Sequence, residues 1–162
     1  LDEVIPFADK EEGTVYEHLK RAVDFSMNHL GVHGMPAGLY ADWNDCLRLG
    51  KAGESSFVAM QFYYAMTILK KFAEYKGDTD YIAYLEEKQK QQGDVINEFC
   101  WNEDRFIRGF TEAGETIGKR TDNEANMWLN PQSWAVISGL ADDAQADDAA
   151  ETTADTAEAD AE

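Results

Sequence analysis

Residues 55–80 read SSFVAMQFYYAMTILKKFAEYKGDTD, and the architecture follows from them. Phe57, Val58, Met60, Phe62, Tyr63, Tyr64, Met66, Ile68, Leu69 and Phe72 leave no polar stripe along a helix of about twenty residues. A helix that is apolar all round is buried on most sides. Gly77-Asp78 stops it and caps a successor over about 79–99. There Tyr81, Ile82, Leu85, Val95, Ile96 and Phe99 turn inward and a Glu/Lys/Gln face turns to water. A link of two or three residues makes the two helices antiparallel neighbours.

Working outward, Thr14 and Glu17 form a capping box for a helix over 14–30, with Val15, Leu19, Ala22, Val23 and Leu30 near one face and Gly31 at its end. Asn130-Pro131 predicts the cap and first position of a fourth helix reaching about residue 140. Between them, Arg105–Phe110, a turn at Ala113-Gly114 and Glu115–Ile117 predict a small hairpin. The fold class is therefore all-α with a β-hairpin insertion. In an up-down array the long connections, roughly 32–54 and 100–130, leave on one side and the tight turn on the other. Structureless connections of that length are usually functional. These hold Trp43, Trp101 and Trp128, each with acids beside it. Rings that stack on sugar C–H faces, next to carboxylates that bind hydroxyls, suit carbohydrate chemistry.

The chain has 162 residues, 32 of them acidic and 14 basic, for a net charge of −18. That balance argues against nucleic acid or an anionic membrane surface as partner. No apolar run approaches a bilayer span, and the start lacks a leader pattern. Cys46 and Cys100 are too few for a disulfide framework. A reduced, cytoplasmic protein is the expectation. Residues 141–162 comprise nine Ala, nine acids, three Thr and one Gln, which predicts a solvated, disordered acidic tail set apart from a unit spanning 1–140.

The densest polar group is Ala41-Asp42-Trp43-Asn44-Asp45. A neighbouring like charge and an aromatic wall both raise a carboxyl pKa, which is how an Asp comes to donate a proton near neutrality. The same residues read equally as the caps of a turn. A calcium loop counted from Asp42 would need Gly at Leu47 and Glu at Gly53. His29 and His33 straddle Gly31 without a third ligand, so no metal is expected. Gly50–Ser55 lacks phosphate-loop spacing and reads as the entry to the apolar helix, and His18 reads as structural. Cys46 has no paired base that would make it a nucleophile.

Gly13-Thr-Val-Tyr-Glu-His18, His33-Gly-Met-Pro36, Ala41–Asp45, Gly53-Glu-Ser55 and Asn130-Pro-Gln-Ser-Trp-Ala-Val-Ile-Ser-Gly139 follow in order and spacing. In this the sequence resembles the inverting disaccharide phosphorylases of glycoside hydrolase family 94, and within them the branch acting on cellobiose. The resemblance covers residues 1 to about 140 and implies part of an (α/α)6 catalytic barrel. It implies Asp45 as general acid, Trp43 in the subsite of the cleaved glucosyl ring, and Asp42 and Asn44 in supporting or sugar-contacting roles. The implied reaction converts cellobiose and inorganic phosphate to α-glucose 1-phosphate and glucose, with no cofactor or metal. Phosphate is already a nucleophile, so the second carboxylate an inverting hydrolase uses to activate water is dispensable. Family members are several times longer. Their Arg and Asp upstream, and their phosphate-binding His and Thr-Gly downstream, have no counterpart here. The expectation is a central segment of the catalytic domain, inactive alone, from a parent whose candidate assembly is a homodimer. An inverting hydrolase on the same barrel and a non-catalytic sugar-binding helical module are the alternatives.

Overall fold

A computed structural model describes residues 1–6, 12–44 and 46–159, with the side chains of 155–159 excepted. Strands β1 (Val4–Pro6) and β2 (Glu12–Thr14) pair antiparallel and lead into α1 (Val15–Met27). Then follow β3 (Glu54–Ser55), α2 (Ser56–Lys76), α3 (Thr79–Cys100), β4 (Trp101–Asn102), β5 (Arg105–Phe106), β6 (Gly109–Phe110), β7 (Thr116–Ile117), α4 (Leu129–Ser138) and α5 (Asp143–Ala159). The helices stand as part of a helical barrel, with α2 at the centre of the piece against α1, α3 and α4.

Local chemistry sets the helix limits. Thr14 Oγ1 accepts from Glu17 N while the Glu17 carboxylate accepts from Thr14 N, so the capping box opens α1 as expected. Ser55 caps α2 by accepting from Val58 N, Gly77 ends it in the left-handed region (φ 69°), and Asp78 caps α3 through Tyr81 N. The two helices run antiparallel across that turn and pack along their length. Met60, Ile96, Cys100, Phe106 and Ile107 form one buried cluster, and Met66, Leu69, Ala73, Tyr81 and Leu85 another.

Three details differ from the sequence reading. Helix α4 starts at Leu129 with Trp128 at its cap, so Asn130 lies inside the first turn rather than capping it. The reason is Gln132: its side chain bonds Phe106 N and O and also Trp128 O, fastening the helix start to β5. The predicted strand 105–110 is two strands: β5 pairs with β4, while β6 pairs with both β3 and β7. Trp101 is thereby drawn inward, edge-on to Phe106 at 4.8 Å and against the main core, instead of standing as a platform above the helix ends.

The end of α1 is the third: it stops at Met27 with Asn28 at its cap, short of the expected stop at Gly31. From Asp143 the acidic segment continues as helix α5. Its alanines favour helix and need little space. Ala149 and Thr152 are buried, α5 packs on α4 and β5, and Thr152 Oγ1 donates to Asp148 O. Residues 160–162 lie outside the described residues.

Candidate active site

The β3–β6–β7 sheet joins the start of α2 to the segment after α3, so the two long connections meet on one side of the helices, as their lengths predicted. The first connection folds back on β3. Gly38 N donates to Gly53 O, Leu39 N to Lys51 O, and Ala37 bridges Glu54. Leu39 and Tyr40 both take left-handed backbone (φ 51° and 69°), a conformation that costs side-chain-bearing residues energy and clusters at functional sites.

Between the loops lies a cleft of about 680 Å³ lined by Tyr40, Asp42, Leu47, Arg48, Glu112 and Glu115, among others. Its wall is held by Glu112, whose carboxylate accepts from Lys51 N at 2.9 Å and whose N–H donates to Leu49 O. Gly50, at φ +90°, is required beside it: a Cβ there would stand 2.3 Å from the Glu112 carboxyl carbon.

Beneath the loop sits a buried ion pair. Arg108 leaves the apolar run Phe106-Ile107-Arg108-Gly109-Phe110 with a side chain only 1% exposed, and so is that of Asp42. One guanidinium nitrogen donates to Asp42 Oδ1 and the other to Ser55 Oγ at 2.6 Å. The Phe57 and Trp128 rings lie 5.5 and 5.6 Å from the guanidinium carbon. Asp42 Oδ1 also accepts from Asn44 N at 2.8 Å, whereas Oδ2 is buried without a hydrogen-bond partner among the described residues. Asn44 Oδ1 in turn accepts from Cys46 N at 3.1 Å and its carbonyl from Leu47 N at 2.9 Å.

A second buried acid organises the neighbouring turn. Glu54 is 1% exposed and accepts from His33 N and Met35 N, with His33 Nδ1 at 2.5 Å. The His33 ring stacks on Phe110 at 3.9 Å. The motifs containing His33 and Glu54, separated in sequence, thus meet in one clamp at the base of the loop. His29 is apart from it, stacked on Phe25, and no group of three metal-capable side chains occurs among the described residues.

Of the residues singled out from sequence, Asp42 lines the cleft and is anchored from below. Trp43 is 82% exposed and lies outside the cleft lining, and Asn44 is exposed with its side chain engaged in the turn. Asp45 lies outside the described residues. Arg108 and Glu54 escaped the sequence reading as site residues. An arginine between isoleucine and glycine in an otherwise apolar run was the available signal for the first, since such a charge is buried only with a partner. Cys46 is exposed, whereas the Cys100 thiol is pushed up by burial, first, and by the Glu54 charge.

The sequence matches the family model described as the glycosyl hydrolase 94 superfamily, catalytic domain, over residues 1–160. It is 37% identical over 143 residues to an N,N'-diacetylchitobiose phosphorylase of Vibrio proteolyticus, covering 87% of this chain and 18% of that protein. It is 35% identical over 135 residues to a 3-O-beta-D-glucopyranosyl-beta-D-glucuronide phosphorylase of Paenibacillus borealis, covering 81% and 17%. With a cellobionic acid phosphorylase of Neurospora crassa the figures are 30% over 151 residues, covering 91% and 19%. The chain therefore spans less than a fifth of the length of each of these relatives. The match runs through the loop motif, the sheet and α5 alike, and the chain belongs to the glycosyl hydrolase 94 superfamily, as part of its catalytic domain.

Proposed function

We propose that this chain supplies the acid-bearing loop of a disaccharide phosphorylase. One observation carries the reading: Asp42 and Leu47, three residues before and two after position 45, both line the polar cleft on the side where the long connections meet. In this reading Asp45 gives its proton to the glycosidic oxygen as the C1–O bond breaks. A phosphate oxygen attacks C1 from the opposite face, leaving α-glucose 1-phosphate and a free sugar. No metal or cofactor takes part, and the inverted product follows from a single displacement. Family membership and relatives named as phosphorylases of three different disaccharides support the reaction type. Cellobiose is our proposed substrate, on the motif resemblance. The site is complete only in the full-length parent, which we place in the cytoplasm as a homodimer. The test is phosphate-dependent release of glucose 1-phosphate by that parent from a panel of cellobiose, chitobiose and cellobionic acid. Asp45→Asn is expected to lower turnover by about 10²–10⁴-fold, the usual share of general acid catalysis. Release of glucose without phosphate would replace the reading with hydrolysis.

A further inference from the structure

We infer that Arg108 is a positioning residue for the acid-bearing loop. The inference rests on the reading of Asp45 as proton donor and deepens it. Arg108 is the only cation whose side chain reaches Asp42 among the ion pairs of the described residues. Its guanidinium has little freedom: it is buried, bonded to Ser55 at the cap of α2, and flanked by the Phe57 and Trp128 rings. The fork therefore presents a fixed donor to Asp42 Oδ1, and from there a chain of hydrogen bonds runs along the loop. Asp42 Oδ1 accepts from Asn44 N, and Asn44 Oδ1 accepts from Cys46 N. That chain reaches past position 45 on both sides. The register of the loop against the helical scaffold is thus set by Arg108 through Asp42 and Asn44, and not by the exposed Trp43 side chain. A lysine, with one compact ammonium, cannot span both Ser55 and Asp42 as a planar fork does.

The consequence is specific to proton donation. A loop displaced by a fraction of an ångström leaves Asp45 poorly aimed, which slows cleavage where the leaving group needs a proton and matters little where it does not. The experiment uses the full-length parent with Arg108→Lys, Asp42→Asn and, as reference, Asp45→Asn. Phosphorolysis of cellobiose is compared with that of an aryl β-glucoside bearing an acidic phenol. For Arg108→Lys we expect kcat on cellobiose to fall about 30-fold or more with KM within about threefold, and the aryl substrate to lose under about threefold. Asp42→Asn, which keeps volume and an acceptor oxygen, is expected to show the same pattern at about fivefold. It carries the test if Arg108→Lys does not fold. Equal losses on both substrates, or none, overturn the positioning role. Should Asp45→Asn itself show no dependence on leaving group, the proton-donor reading fails first, and the two failures are told apart.

Discussion

At the residue scale, the loop is built on two buried carboxylates, and each has a different guarantor. Asp42 depends on a charge, and removing that charge strands it. Breaking a buried pair by deleting one partner costs about 3–5 kcal/mol, so Arg108→Ala and Asp42→Asn are each expected to destabilise, as urea denaturation of the chain would read. Glu54 depends instead on backbone donors and on an empty place. Gly31 packs so close that a Cβ there would lie 2.3 Å from Glu54 Cγ and 2.4 Å from its carboxyl carbon. Gly109 instead makes room for the Glu54 backbone, at φ +153° with its Cβ position 2.2 Å from the Glu54 carbonyl oxygen. Gly31→Ala must push the carboxylate off His33 N and Met35 N. Overpacking of this kind costs roughly 1–3 kcal/mol, and a lowered melting temperature for Gly31→Ala, absent for Gly77→Asn at the open turn, is the expected result. From the sequence Gly31 reads as a helix stop, whereas α1 ends at Met27 with Asn28 at its cap. That Gly31 makes room for an acid twenty-three residues away was not legible there, because nothing local in either segment refers to the other.

At the scale of elements, the tight turn between α2 and α3 is clamped from α1. Tyr16 Oη donates to Asp78 Oδ2 at 3.1 Å and Lys20 Nζ donates to the same oxygen at 2.9 Å, with Lys20 above the Tyr81 ring at 4.3 Å. Burial, and then the bond to Asp78, push the Tyr16 hydroxyl up to about 12. Asp78 is held below its usual carboxylate value, chiefly by the Lys20 hydrogen bond and against some burial. The signs follow directly. A raised group ionises in the unfolded chain before the folded one, so the Tyr16 contribution is whole below about pH 10 and is lost as pH rises toward 12. The depressed Asp78 contributes above the ordinary carboxylate range and is lost as pH falls through its folded value. Tyr16→Phe is expected to flatten the alkaline limb of a stability-versus-pH curve measured by denaturation, and Asp78→Asn the acid limb. The helices α1 to α3 were legible because their signals are local: a capping box, an all-round apolar face, Gly-Asp punctuation. Helix α5 was not, since its stabilisation comes from Ala149 and Thr152 seated against α4 and β5. Truncation after Ala141 should therefore lower the melting temperature, where a free tail would leave it unchanged.

For the whole molecule, the apolar surface left open is informative. Leu129, Val136 and Ile137 on α4 are 59%, 53% and 54% exposed, and Phe25 on α1 is 54% exposed. Aliphatic residues at half exposure on neighbouring turns of one helix form the kind of patch that binds other protein or apolar dye. The isolated 162-residue chain is expected to bind such a dye and to self-associate in sedimentation, and to make no glucose 1-phosphate from cellobiose and phosphate. Val136→Lys with Ile137→Glu is expected to reduce the association while leaving the helical signal in place.

By itself the sequence determined the helical class, the start of α1 and the limits of α2 and α3, the antiparallel α2–α3 pair, the side on which the long connections emerge and the motif at residues 41–45. Each of these rests on periodicity, punctuation or spacing within one segment, and short-range chemistry writes them directly into residue order. Only the tertiary structure decided that Trp101 belongs to the core and that 105–110 splits between two sheets. It alone brought Glu54 to His33 and Arg108 to Asp42, closing a cleft between loops some sixty residues apart. A buried charge is tolerated only where its partner arrives from elsewhere in the chain, and the identity of that partner is a property of the packed helices and sheet, not of either neighbourhood.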